Sequence, residues 1–214
     1  MAGPFDRIAA EYDRWYDEPE GRAIFAAELE CLRSLAGRVE GEWLEVGVGT
    51  GRFSHGLGIR KGVDVSPQML EIAAERGIEV VEGAAEDLPF SSDSFDGILM
   101  ALTLCFVADA QRALQECERV LRPGGRLLLG VVPADSSWGR EYSRQAARNH
   151  PVYSTAHFRT MAEIAELADG AGFIPVDARS TLFWPPGETP DSTPRIEAGV
   201  VSEAGFVGVL FEKK

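Results

Sequence analysis

Short apolar runs alternate with helical patterns along residues 40 to 135. WLEVG (43–47), KGVDV (61–65), IEVVEG (78–83), FDGILMAL (95–102) and GRLLLGVV (125–132) predict strands apolar enough to be covered on both faces. Between them, Ser66-Pro67 offers an N-cap and a preformed first turn for QMLEIAAER, which Gly77 stops. Asp109 is placed to cap AQRALQECERVLR, whose Ala113, Leu114, Cys117, Val120 and Leu121 make one apolar stripe before Pro123-Gly124-Gly125 ends it. Right-handed crossovers between such units give a parallel sheet, so the expected fold class is α/β, doubly wound.

Two pieces flank this core. In front, residues 5–36 predict two helices, with Phe5, Ile8 and Tyr12 at helical spacing and a break near Pro19 and Gly21. Behind, SSWGREYSRQAARNH reads as a helix, and Thr160 with Glu163 makes a capping box for MAEIAELADGAG. FIPVDARSTLFW and FVGVLFE then read as strands, separated by a loop at 185–199. The expectation is a mostly parallel seven-stranded sheet with helices on both faces and small helical lid elements. One domain is expected: a cap at 1–38, a core at 40–132, a lid insert at 133–160 and a C-terminal helix and strands at 160–214.

Bulk properties narrow the function. A chain of 214 residues with 45% apolar content is long enough for one core. No apolar run reaches the length of a membrane span and the N-terminal segment is charged, which leads us to expect a cytoplasmic protein. Cys31, Cys105 and Cys117 lack metal-ligand spacing, so reduced thiols are expected and no metal site. A net charge of −13 disfavours nucleic acid as a partner.

Candidate chemistry is concentrated in WLEVGVGTGRF, at the turn from the first strand into the first core helix, where open parallel sheets bind ligands. Gly47, Gly49 and Gly51 permit positive φ and close approach of a ligand to the main chain. A nicotinamide dinucleotide site would need G-x-G-x-x-G, whereas the third glycine here comes one residue early. Glu45, two residues before Gly47, would repel a pyrophosphate but suit a sulfonium and an ammonium. S-adenosylmethionine is such a ligand. Asp64, closing GVDVS, is suited to accept from both hydroxyls of its ribose; the other reading is a share in capping the next helix. Met69 either covers the adenosine or packs in the core.

EVGVGTG, GVDVSPQML, EGAAEDLPFSSDSFDGILMALTLCFV and RVLRPGGRLLLG, in that order, resemble the motifs of class I S-adenosylmethionine-dependent methyltransferases. The branch is that of the ubiquinone/menaquinone biosynthesis enzymes, which FDRIAAEYDRWYD at the front is also similar to. The resemblance implies a Rossmann-like methyltransferase fold, S-adenosyl-L-methionine as cofactor and S-adenosyl-L-homocysteine as product. It implies Glu45, Gly47, Gly49, Thr50 and Gly51 on the methionine side, Asp64 at the ribose, Ala84, Ala85 and Glu86 at the adenine, and Met100 and Ala101 beside the methionine chain. Many relatives carry Asp or Asn where this chain has Ala84.

Methyl transfer is an in-line displacement that can proceed by positioning and water exclusion, and no side chain stands out as a catalytic base. His55 and Cys105 read more readily as packed or solvated groups; His157 falls in the expected lid. Tyr12, Trp15, Tyr16, Trp138, Tyr142, Tyr153, Phe158, Phe183 and Trp184 concentrate aromatic surface in connecting segments, either lining a pocket or sealing a lid. Among them Tyr12, Tyr16 and Tyr142, with His157, are the expected substrate contacts. Arg140, Arg144 and Arg148 share one helix face, as a solvated face or as a cationic stripe for an acidic substrate or partner. The expected function is methylation of a small-molecule acceptor. The alternatives are a cofactor-binding protein without chemistry and a nucleic-acid or protein methyltransferase.

Overall fold

A computed structural model describes residues 5–188 and 193–214; residues 1–4 and 189–192, hence part of the expected 185–199 loop, lie outside the described residues. The alternating runs form β1 (Trp43–Val46), β2 (Lys61–Asp64), β3 (Glu79–Glu82), β4 (Phe95–Ala101) and β5 (Leu121–Val131). β6 (Phe173–Thr181), β7 (Glu197–Ala198) and β8 (Phe206–Lys213) follow. The sheet order is β3-β2-β1-β4-β5-β8-β6-β7, parallel from β3 to β5 and antiparallel where β8 joins β5 and β6 joins β8. An eighth strand therefore extends the expected seven. It is the two-residue β7, which falls inside the stretch expected to be only a loop and is too short to carry an alternating pattern.

The helices are α1 (Ala9–Trp15), α2 (Pro19–Ala36), α3 (Arg52–Leu57), α4 (Pro67–Glu75), α5 (Ala110–Val120), α6 (Ser137–Ala147) and α7 (Met161–Gly170). Their starts follow local capping chemistry. Ser66 Oγ accepts from Met69 N–H at 3.3 Å, Asp109 accepts from Arg112 N–H at 2.9 Å, and Thr160 with Glu163 closes a reciprocal capping box. Pro19 sits in the first turn of α2, which explains the break between the two front helices.

Two expectations need correction. α5 ends at Val120 rather than running on to Pro123; Leu121 is already extended and pairs with Phe95, and the β4–β5 register slips between Phe95 and Gly97 to absorb the Pro-Gly-Gly turn. β3 is not covered on both faces: it is the sheet edge, and its side chains are exposed or half-buried.

Alternation across the sheet decides which helix each strand residue meets. Leu128 and Leu99 face α2, joining Ile24, Ala27, Leu32 and Leu35, while Leu127, Leu129 and Ile98 face α5 and α7, joining Leu114, Cys117 and Ile164. Each of these leucines is buried, a contribution of about 1.5–3 kcal/mol apiece. The two layers fix the carboxyl ends of β1, β2, β4 and β5 along one edge, and α1 crosses above it.

Candidate active site

The turn after β1 divides its glycines between different tasks. A Cβ on Gly47 (φ +73°) would lie 2.2 Å from Thr103 Cγ2, so this position is closed by packing. A Cβ on Gly49 (φ +51°) would meet nothing within 4 Å, because this glycine faces a cavity. Gly49 N–H donates to Asp64 Oδ2 and Ser66 N–H to Asp64 Oδ1, both at 2.9 Å, so one carboxyl ties the glycine turn to the start of α4. Burial raises the pKa of Asp64 against the opposing pull of these N–H bonds. Each oxygen can accept further bonds. Next to it, Val65 is an apolar side chain 62% exposed on the cavity wall.

Gly47, Gly49, Thr50, Asp64, Met69, Ala85, Glu86 and Ala101 all line this cavity. Met69 is buried in the first turn of α4 and still reaches the wall. Glu86 is partly committed elsewhere: its Oε1 accepts from Ala108 N–H at 2.8 Å and Asp109 N–H at 3.3 Å, at the entrance to α5.

Four expected ligand contacts stand away from the wall. Glu45 is buried behind the turn, where it accepts from Ser54 N–H at 2.9 Å and from the Ser54 hydroxyl, fastening β1 to α3. Burial pushes its pKa up to about 8, with the Ser54 bonds opposing. Gly51 packs against Ala73, 3.1 Å from a Cβ built there. Ala84 bridges to Asp87, and Met100 alternates into the core beneath α5 while its neighbour Ala101 faces the cavity.

The cavity measures about 1180 Å³ and continues from the glycine turn under the front helices and the insert after β5. Tyr12 and Tyr16 of α1 join hydroxyl to hydroxyl at 2.9 Å. Tyr142 of α6 stacks on Tyr153 with ring centroids 4.4 Å apart, and Phe158 lies 5.9 Å from Tyr142. These five rings, with Trp15 and Trp138, line the cavity; Phe183 and Trp184 do not. Trp138 Nε1–H donates to the Trp184 carbonyl at 2.7 Å, which seals that side, and Arg195 stacks on Phe183. The aromatic segments thus both line a pocket and seal it.

His157 is on the wall and exposed, and its backbone N–H donates to the Cys105 carbonyl at 2.6 Å. His55 is exposed on α3, off the wall. Cys105 reaches the cavity, but burial pushes its thiol up to about 12 and holds it protonated. Arg140 and Arg144 are exposed at the cavity's rim, Arg144 pairing with Glu141 at 3.2 Å; Arg148 is outside it.

Three features went unread in the sequence. Asp13 of α1 bonds Arg52 Nε at 2.8 Å and Arg76 Nη2 at 2.7 Å, latching the cap to α3 and α4. Leu102, at the end of β4, adopts φ +56°, a strained conformation for a branched side chain, on the cavity wall. Glu28 of α2 is buried and also on the wall, and its Oε2 has no hydrogen-bond partner among the described residues. The spacing of Ile24, Cys31, Leu32 and Leu35 could have revealed it, since that stripe places position 28 on the buried face of the helix.

Comparison with known proteins agrees with this geometry. A family model described as a methyltransferase domain matches residues 44–129. A solved structure from Thermotoga maritima, named as an S-adenosylmethionine-dependent methyltransferase and possible histamine N-methyltransferase, superposes with a TM-score of 0.90 at 39% identity, covering 99% of this chain and 98% of that one. An uncharacterized protein of Mycobacterium tuberculosis is 42% identical over 203 residues, 95% of this chain and 71% of that protein. The ubiquinone/menaquinone biosynthesis C-methyltransferase of Vibrio parahaemolyticus is 29% identical, across 96% of this chain and 80% of its own length. The chain belongs to the class I S-adenosylmethionine-dependent methyltransferases and resembles the ubiquinone/menaquinone biosynthesis branch.

Proposed function

We propose that this methyltransferase acts on a small molecule enclosed beneath the α1–α2 cap, with residues 1–214 working as a single unit. The observation that carries the reading is the size and continuity of the cavity. At about 1180 Å³ it exceeds the roughly 300–1,000 Å³ of ordinary ligand pockets, which suits a cofactor and an acceptor side by side. No helix among the described residues is long and apolar enough to cross a membrane, and the charge of −13 speaks against a polyanionic acceptor.

The residues present fit S-adenosylmethionine. The main chain at Gly49 is open to the cavity, Asp64 has accepting capacity left for ribose hydroxyls, and Val65, Met69 and Ala85 offer apolar surface for an adenosine. Gly47, Gly49 and Thr50 would hold the methionine side. Bound there, the cofactor supplies an electrophilic methyl group, leaving S-adenosyl-L-homocysteine as the product. The protein's own part is enclosure and alignment. Tyr12, Tyr16, Tyr142 and His157 surround the acceptor, and the aromatic rings exclude water from it. Burial pushes the Tyr12 phenol up to about 12 and raises Tyr16 and Tyr142 well above the ordinary phenol value, so these hydroxyls act as neutral hydrogen-bonding groups.

The test is transfer of a labelled methyl group to a panel of amines, phenols, thiols and carboxylates, alongside RNA and unrelated protein. Histamine belongs in the panel because the Thermotoga maritima relative carries that name. We expect label on at least one small molecule and none on the polymers. Label on RNA or protein alone would refute the reading.

A further inference from the structure

Glu28 has no part in the cofactor reading above. It projects from α2 into the aromatic end of the cavity, 2% exposed, with Oε2 buried and without a partner among the described residues. A buried carboxyl in that state is unfavourable unless it is protonated or meets a cation or an N–H donor. The groups that face it are phenols and thiols. Tyr12 and Tyr16 come from α1, Tyr142 from α6 and Tyr153 from the turn after α6, and a charge on Glu28 would raise the pKa of each; Cys31 on its own helix is affected in the same way. The guanidinium of Arg52, which lies over the Tyr16 ring, is held by Asp13 and Asp17.

Resting on the methyltransferase reading, we infer that Glu28 is the anchor for a cationic amine of the acceptor, with the rings of Tyr16, Tyr142 and Tyr153 enclosing its body. Two observations converge on a cation. A carboxyl whose Oε2 is unpartnered among the described residues, on the wall of a large cavity, supplies the counter-charge, and the tyrosine rings that line the same cavity suit ammonium groups better than anions. The opposite charge is disfavoured for the same reasons: a carboxylate acceptor would confront Glu28 across a low-dielectric space.

Burial also sets the protonation of the empty site. It pushes Glu28 up to about 8, so near neutral pH the carboxyl is mostly protonated until an amine binds. Seating an ammonium against it then releases a proton to solvent. An alcohol of the same shape releases none.

The experiment is calorimetry on the full chain saturated with S-adenosylhomocysteine, at pH 7 in buffers of different ionisation enthalpy. The titrants are 2-phenylethylamine, tryptamine, 2-phenylethanol and phenylacetate. We expect at least one amine to bind with release of close to one proton, phenylacetate to bind more weakly than either amine, and Glu28→Gln to weaken the amine at least about 30-fold and abolish the proton release. The affinities of Glu28→Gln for S-adenosylhomocysteine and 2-phenylethanol should match those of the native chain, which also shows that the variant is folded. Native protein that takes neither amine, or a variant that takes them equally well, overturns the inference and leaves the methyltransferase reading standing. So does a Glu28→Gln variant weakened for S-adenosylhomocysteine, since the carboxylate would then hold the cofactor's own ammonium. Failure of the native chain to bind S-adenosylhomocysteine would remove both readings together.

Discussion

Gly47 and Gly49 occupy the same turn two residues apart, both with positive φ, yet a methyl group added to each meets different surroundings. At Gly47 it collides with Thr103, so Gly47→Ala forces the wall to move and should cost about 1–3 kcal/mol of folding stability on top of the left-handed backbone cost that both positions share. At Gly49 it enters the cavity, so Gly49→Ala should cost only about 1–2 kcal/mol through the left-handed backbone while weakening cofactor binding severalfold. Thermal unfolding with and without S-adenosylhomocysteine separates the two. A Gly49→Ala protein that binds the cofactor normally would show that this backbone does not touch it. The turn was legible in the sequence because positive φ, a local property, restricts those positions to glycine. Glu45 shows what local pattern leaves out: an acid beside a glycine turn suggests a ligand contact, while in the fold Ser54, nine residues on, takes up its carboxyl. Glu28 was missed because an acid on a helix invites the assumption of a solvated face.

Among the elements, α1 depends most on a single side chain. Asp13 bonds Arg52 and Arg76, which lie 39 and 63 residues along the chain, and Arg76 also donates to the Thr50 carbonyl in the glycine turn. Burial would raise the Asp13 pKa, but the bonds from Arg52 and Arg76 prevail and hold it at about 2. A carboxyl depressed from its ordinary value of about 3.9 stabilises the fold above that pH and stops doing so as the pH falls through 2. Asp13→Ala should therefore destabilise by about 1–2 kcal/mol at neutral pH, a penalty that fades between about pH 4 and 2. Hydrogen exchange provides a finer readout: amides of α1 should exchange faster in the variant while those of β4 and β5 remain unchanged. Equal protection of α1 in both proteins would show that the latch is not what holds the cap. Helix starts at Ser66, Asp109 and Thr160 were legible because capping is settled within four residues. The latch was not, because its partners meet only after the sheet has formed. The early end of α5 and the exposure of β3 were also hidden, since both depend on which strand lies beside which.

At the scale of the molecule, the alternation of strands and helices was enough to imply a parallel sheet with its ligand at the carboxyl edge. That much follows from periodicity and handedness. The chamber beneath the front helices is another matter, because α1, α2, α6 and the turn at Tyr153–Thr155 each contribute to its walls, and no local pattern joins segments so far apart. We propose that the glycine turn and Asp64 form a site for a sulfonium nucleoside and not for a dinucleotide. Calorimetric titration of the native chain and of Asp64→Ala with S-adenosylmethionine and with NADH decides between the two. We expect binding of S-adenosylmethionine alone, weakened by at least about 1.5 kcal/mol in the variant. Binding of NADH, or S-adenosylmethionine affinity untouched by loss of the Asp64 carboxyl, would contradict it.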